Sequence, residues 1–227
     1  MPYTDNVTNA AASVDPANLS RTGNEVLVSP RVAYGSIAKN SWLRLGYFDP
    51  ADDIAPTTNT NTTDIMAQNP TGGADILLAT DTTEATAVFE SIAPLTPSKE
   101  VLALHAGAPA VNVGNASTGV TVSAFTIGAT IGTRMIVIKR RLSADAKRLV
   151  QVYWFPNVGL ANNGTVDKQN RKAPQFRGSI LAWDGTITDT DINAAITSRP
   201  FMGQVFNVPD DGLDAFLTKL MAEAPAA

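Results

Sequence analysis

The sequence predicts a mainly β protein, a β-sandwich or partly open barrel with one flanking α-helix and a C-terminal amphipathic helix. Three observations predict it. Runs such as EVLVS, RVAYGSI and NSWLRLGYF combine β-branched, aromatic and aliphatic residues and are bounded by Ser-Pro or Asp-Pro. Helical signals are confined to two segments, near residues 97–106 and 211–222. The 227 residues, 44% of them hydrophobic, suffice for one sizeable core.

Taken in order, residues 1–24 are rich in Ala, Asn, Thr and Ser without clear periodicity, which predicts an N-terminal arm. The main domain is expected over 25–185, opening with the three runs above. A polar stretch over 49–73, carrying Asp49, Asp52, Asp53 and Asp64, is expected to be a long loop ordered by something outside the chain. GADILLAT and TTEATAVFESI follow as two strands about a turn at Asp81, with Glu84, Thr86, Val88 and Glu90 on one wet face. Thr96 as N-cap, Pro97 at the first position, Val101, Leu102 and Leu104 as contacts and Gly107 as stop define a helix over 97–106. RMIVIKRRL and RLVQVYWF form a hairpin across SADAK, and FRGSILAWDG adds a strand after a polar segment. In the remaining segment, 186–227, Leu213, Phe216, Leu217, Leu220 and Met221 fall at i, i+3, i+4, i+7 and i+8, with Asp210 or Asp211 as cap, for a helix over about 211–222. That stripe fits either the chain's own sheet or a neighbouring subunit.

Chemistry is sparse in the sequence. A net charge of -4 does not favour general attraction to nucleic acid, and zero cysteines exclude disulfides and thiolate metal sites. With no charged-then-apolar leader over Met1–Gly23 and no apolar run long enough to span a bilayer, a soluble chain made in the cytoplasm is expected. The one histidine, His105, ends its helix and is expected to be a structural or surface residue. DTDIN at 189–193 imitates a calcium loop but lacks its glycine and glutamate, so helix capping by Asp189 or Asp191 is expected instead. The densest basic cluster, Lys139, Arg140 and Arg141 with Lys147 and Arg148, fits a solvated tip, an assembly contact or single-stranded nucleic acid. No catalytic residue, metal or cofactor is expected.

The order GNEVLVSPRVAYGS, NSWLRLGYFDP, a polar loop, TTEATAVFESIAPLTPSKEVLALHAG, then strands ending YWFPNVGL and FRGSILAWDG resembles the major tail tube proteins of long-tailed, non-contractile bacteriophages. Trp42, Leu45, Gly46 and Tyr47 match one family feature, Glu84, Thr86, Phe89 and Ser91 another, and Tyr153 to Leu160 a third. The resemblance covers about Gly23 to Gly185. It implies hexameric rings stacked into a tube, assembled around a tape measure protein with tail-end proteins, through which double-stranded DNA leaves the virion.

Under that resemblance the loop carboxylates Asp49, Asp52, Asp53 and Asp64 are expected between rings, Glu84 and Glu90 in an acidic lumen, and Lys139, Arg140 and Arg141 in subunit contacts. The stripe of Leu213, Phe216, Leu217 and Leu220 is a further candidate contact. An inner tube of a contractile tail or injection device shares this logic. The competing class is a carbohydrate-binding module that uses Trp42, Trp154 or Trp183 as stacking platforms; a hydrolase with dispersed carboxylates is a third.

Overall fold

The computed structural model describes residues 7–8, 24–49, 51–109, 111–112, 121–126, 128–142, 148–168 and 170–223. The chain forms β1 (Val7–Thr8), β2 (Glu25–Pro30), β3 (Trp42–Arg44), β4 (Thr57–Ala67), β5 (Ile76–Ile92) and α1 (Lys99–Ala106). Then come β6 (Val111–Asn112), β7 (Thr121–Val122), β8 (Thr130–Leu142), β9 (Arg148–Lys168), β10 (Arg171–Ile180), α2 (Thr190–Ala195), β11 (Gln204–Pro209) and α3 (Leu213–Ala222). Among the described residues nine strands make one sheet in the order β1-β3-β2-β8-β9-β10-β5-β4, with β11 paired to β9, and β6 and β7 pair separately. The mainly β expectation holds.

Alternation along these strands builds two cores, because successive side chains leave a strand on opposite faces. Val26, Val28, Leu43, Leu45, Met135 and Val137 join Phe89, Phe176 and α1 in the first. Their neighbours Leu27, Trp42, Ile136 and Ile138 join Val152, Trp154 and α3 in the second. Burial on both faces explains why β2 is buried over its whole length.

Strand β9, 21 residues long, organises the rest. Its first part, Leu149 to Trp154, lies between β8 and β11, and its later part, from Val158, pairs with β10. The polar stretch before FRGSILAWDG is therefore the end of one hairpin and not a connection, with Lys168 opposite Arg171. The segment expected apart from the main domain, 186–227, is also part of it: β11 extends the sheet and α3 covers the second core.

Four local expectations are corrected. Residues 49–73 do not form a loop, since Thr57–Ala67 is a strand paired antiparallel to β5. There is no turn at Asp81, because β5 runs unbroken for 17 residues, opposite β4 for most of them. Helix α1 begins at Lys99 with Ser98 as N-cap, its hydroxyl accepting from Val101 N–H at 3.3 Å; Ala103 is buried where Leu102 was expected. Thr96 instead accepts the Tyr47 N–H at 3.1 Å, beside Gly46, whose φ of 126° and 2.6 Å approach of a would-be Cβ to Thr96 O demand glycine. Finally, neither Asp210 nor Asp211 caps α3; a 3-10 turn, Asp210–Gly212, leads into it.

Gly107 does end α1 in the left-handed region, at φ 74°. Of the arm expected over 1–24, Val7–Thr8 pairs parallel with β3 and Asn24 bonds Asp52 O at 2.7 Å; the remainder lies outside the described residues.

Candidate assembly surface

The registers of β5 define a projection. Ala87 to Ile92 pair with Ile180 to Phe176 of β10, whereas residues from Thr86 down to Ile76 pair with β4 alone among the described residues. At about 3.3 Å per residue the β4–β5 hairpin extends about 35 Å beyond its root. Residues 57–66 and 71–82 are exposed, so neither face of this ribbon rests on a second layer. Its turn is well specified: Asn69 Oδ1 accepts from Thr71 N–H at 3.0 Å and from its hydroxyl at 2.7 Å, and Gly72 and Gly73 take positive φ.

The hairpin has one charge sign. No lysine or arginine occurs between residues 54 and 98, while Asp64, Asp75 and Asp81 lie along the ribbon. Asp64 accepts from Thr80 across the strands at 2.7 Å. Toward the tip the surface turns apolar, with Ile65, Met66, Ile76, Leu77 and Leu78 all exposed, the last two by 53% and 64%. A two-stranded ribbon is marginally stable alone in water, and this one also presents the open edge of β4.

The sequence-derived positions fall differently from expectation. Asp49 makes a turn contact to Ala51 N–H at 2.9 Å, Asp52 pairs with Lys168, and Asp53 pairs with Lys139 at 2.6 Å. The last two tie the base of the hairpin to β9 and β8, so of the four loop carboxylates only Asp64 stands on the projection. Lys139 is 5% exposed and lies over the Tyr153 ring, because residues 52–53 fold back over β8; it is enclosed by its own chain. Arg140 contacts Glu25 at 3.5 Å, and Glu25 pairs with Arg44 at 2.6 Å within the sheet. The side chains of Arg141 and Glu84 lie outside the described residues. Glu90 is exposed, as expected of a wet face, with Arg177 3.4 Å away.

The C-terminal stripe is an internal contact. Leu213, Leu217, Leu220 and Met221 are buried on the second core, and Phe216 packs against Phe206 at a tilt of 59° with ring centres 4.9 Å apart. Trp42, Trp154 and Trp183 are buried too, which removes them as sugar platforms. His105 is held through Nε2 to Gly164 O at 2.7 Å and packs edge-on to Phe176. No cluster of three or more His, Cys, Asp or Glu suited to a metal occurs among the described residues.

Two charged anchors secure the C-terminal segment. Arg134 is fully buried, donates to Ser29 Oγ at 2.9 Å, Asn40 O at 3.2 Å and the Glu223 carbonyl, and faces Trp42; burial lowers its pKa to about 10. The Glu223 carboxylate accepts from Thr188 N–H and Oγ1 and from Asp189 N–H, at 2.7 to 2.8 Å. Asp189 in turn caps α2, as expected. The Ile192 N–H, helped by Lys219 and the Asp191 N–H, holds its carboxyl below the usual range. A depressed native pKa stabilises fully above the unfolded value and is lost as pH falls through the native one. Thermal unfolding below about pH 4 should therefore decline less steeply in Asp189→Asn, which retains a capping oxygen without the charge, than in the parent chain.

No protein-family model matches the chain, and no curated protein matches it. The apolar tip was the feature missed in the sequence. DILLAT, an apolar run directly after the NPTGG turn, was its signal, but it equally describes a buried strand.

Proposed function

We propose that this chain is a self-assembling structural subunit, a tail tube protein whose copies form stacked hexameric rings. The observation that carries the reading is the β4–β5 hairpin: exposed on both faces, of one charge sign and apolar at its tip. A projection of this kind is stabilised by burial against another protein surface. The sequence resemblance supplies the rest: a conduit for double-stranded DNA in the virion, built around a tape measure protein and closed by tail-end proteins.

Function is then mechanical. DNA passing through a tube is retarded by every wall cation that displaces counterions from phosphate, so a wall of low positive charge favours passage. Glu84 and Glu90 are the proposed wall carboxylates, with Arg177 partly offsetting Glu90. The sugar-binding alternative loses its platforms to the core.

Size-exclusion light scattering and negative-stain electron microscopy over a concentration series test the proposal. Rings or hollow tubes are expected from the parent chain. The Leu77→Asp, Leu78→Asp double variant should unfold within about 0.5 kcal/mol of the parent, since both side chains are exposed, yet fail to stack. A strictly monomeric parent at every concentration, without tubes, counts against the reading.

A further inference from the structure

We infer that the apolar tip of β4–β5 docks on the opposite end of a second copy of this chain, against Phe125, Val122, Val111 and the exposed side of α1. The inference rests on the proposed self-assembly and names the surfaces that meet. Apart from the tip, the exposed large apolar side chains include Leu102, Val111, Val122 and Phe125, the last 67% exposed. Their backbones are linked into one region. Val111 and Val122 are register partners across β6 and β7. Thr126 N–H donates to Ala106 O at 2.8 Å, beside Phe125, and Ala106 lies one turn beyond Leu102 on α1.

Strand direction places this region away from the tip. α1 ends beside Asn162 and Gly164 of β9, where Asn162 donates to the His105 carbonyl at 2.6 Å. Asn162 pairs with Phe176, and Phe176 with Ile92, the end of β5 opposite the hairpin. Followed along the β10 and β5 registers, the tip and the β9–β10 turn are separated by about 20 residues, or about 65 Å of strand.

Charge selects the pairing. Two tips face to face would bring Asp64, Asp75 and Asp81 against their own copies with no lysine or arginine on either ribbon. At the β9–β10 end Arg171 and Lys172 are exposed; Lys172 is paired with the exposed Asp167 at 2.7 Å and Lys168 with Asp52, which leaves Arg171 as the cation in excess. An acidic ribbon with an apolar tip is therefore complementary to an end carrying apolar side chains and a net positive charge at Arg171. Because the two surfaces differ and lie at opposite ends, the contact is head to tail and does not close on itself, which generates an open stack.

The chain has no cysteine, so introduced thiols are the sole sites for cross-linking. Leu77→Cys and Phe125→Cys proteins, one carrying a mass tag, would be mixed under assembly conditions with a short bis-maleimide. Circular dichroism would check that each variant is folded. Leu78→Cys with Val122→Cys is the second pair. The expected result is a tagged–untagged dimer in each mixture and little product from Leu77→Cys alone. Assembled particles that yield Leu77–Leu77 links, or no link in either mixture, overturn the docking while leaving self-assembly intact. Monomers at every concentration, with no cross-link, overturn both.

Discussion

Trp154→Ala is expected to lower the free energy of unfolding by about 3–5 kcal/mol, read from the midpoint and slope of urea denaturation. Trp154 is fully buried at the junction of β8, β9 and β11, opposite Ile136 on one side and Gln204 on the other. Its ring meets Trp183 and Phe201, both at 6.0 Å between centres, and those two rings lie 5.4 Å apart. Truncation opens a cavity between the main sheet and the 183–201 segment, whose own bridge between Trp183 and Phe201 keeps the walls from collapsing into it. Trp154→Phe, which retains a ring, should cost clearly less. Equal losses for the two variants would show that the site relaxes and that the aromatic cluster is not a rigid unit.

Arg134→Ala should have an effect of similar size, about 3–5 kcal/mol, by a different route. The guanidinium donates to Ser29, Asn40 and the Glu223 carbonyl, joining β2, the turn before β3 and the end of α3 around one buried cation. Removing it leaves those acceptors without a donor in a site that excludes water. Arg134→Lys should recover little, because an ammonium on a single point cannot reproduce the fork. The loss should be local first: amide exchange in α3 should accelerate more than in β8. The charge itself is not favourable. With its native pKa lowered to about 10, below its unfolded value, the residue opposes folding at all pH values below about 10, and that penalty is relieved as pH rises further. The hydrogen bonds and packing outweigh it.

The contrast between these sites and the hairpin explains what the sequence made legible. β2, β3, β8 and β9 were readable because burial on both faces forces unbroken runs of Val, Leu, Ile and aromatic residues, as at Met135 to Ile138. β4 has no core beneath it, so TTNTNTTD carries no apolar residue to read, and a strand looked like a loop. The α3 stripe was visible at its spacing, but its destination was not, since a helical pattern records that a face is buried and not by what. Lys139 illustrates the same limit: its partner Asp53 lies 86 positions earlier, and nothing local distinguishes an enclosed lysine from one at a solvated tip.

Strand β9 imposes a schedule on synthesis. It is bordered by β8, made before it, and by β10 and β11, made after it, and its first half waits longest, because β11 and α3 are the last described elements of the chain. During translation the cover over the face of β9 that carries Val152 and Trp154 is begun by Trp183 and Phe201 but is not complete until residue 222 has left the ribosome. A nascent chain is thus held back from maturity until the end of α3 is present. Polypeptides cut short before α3 would expose that face to chaperones and proteases, and so would be withheld from joining finished copies.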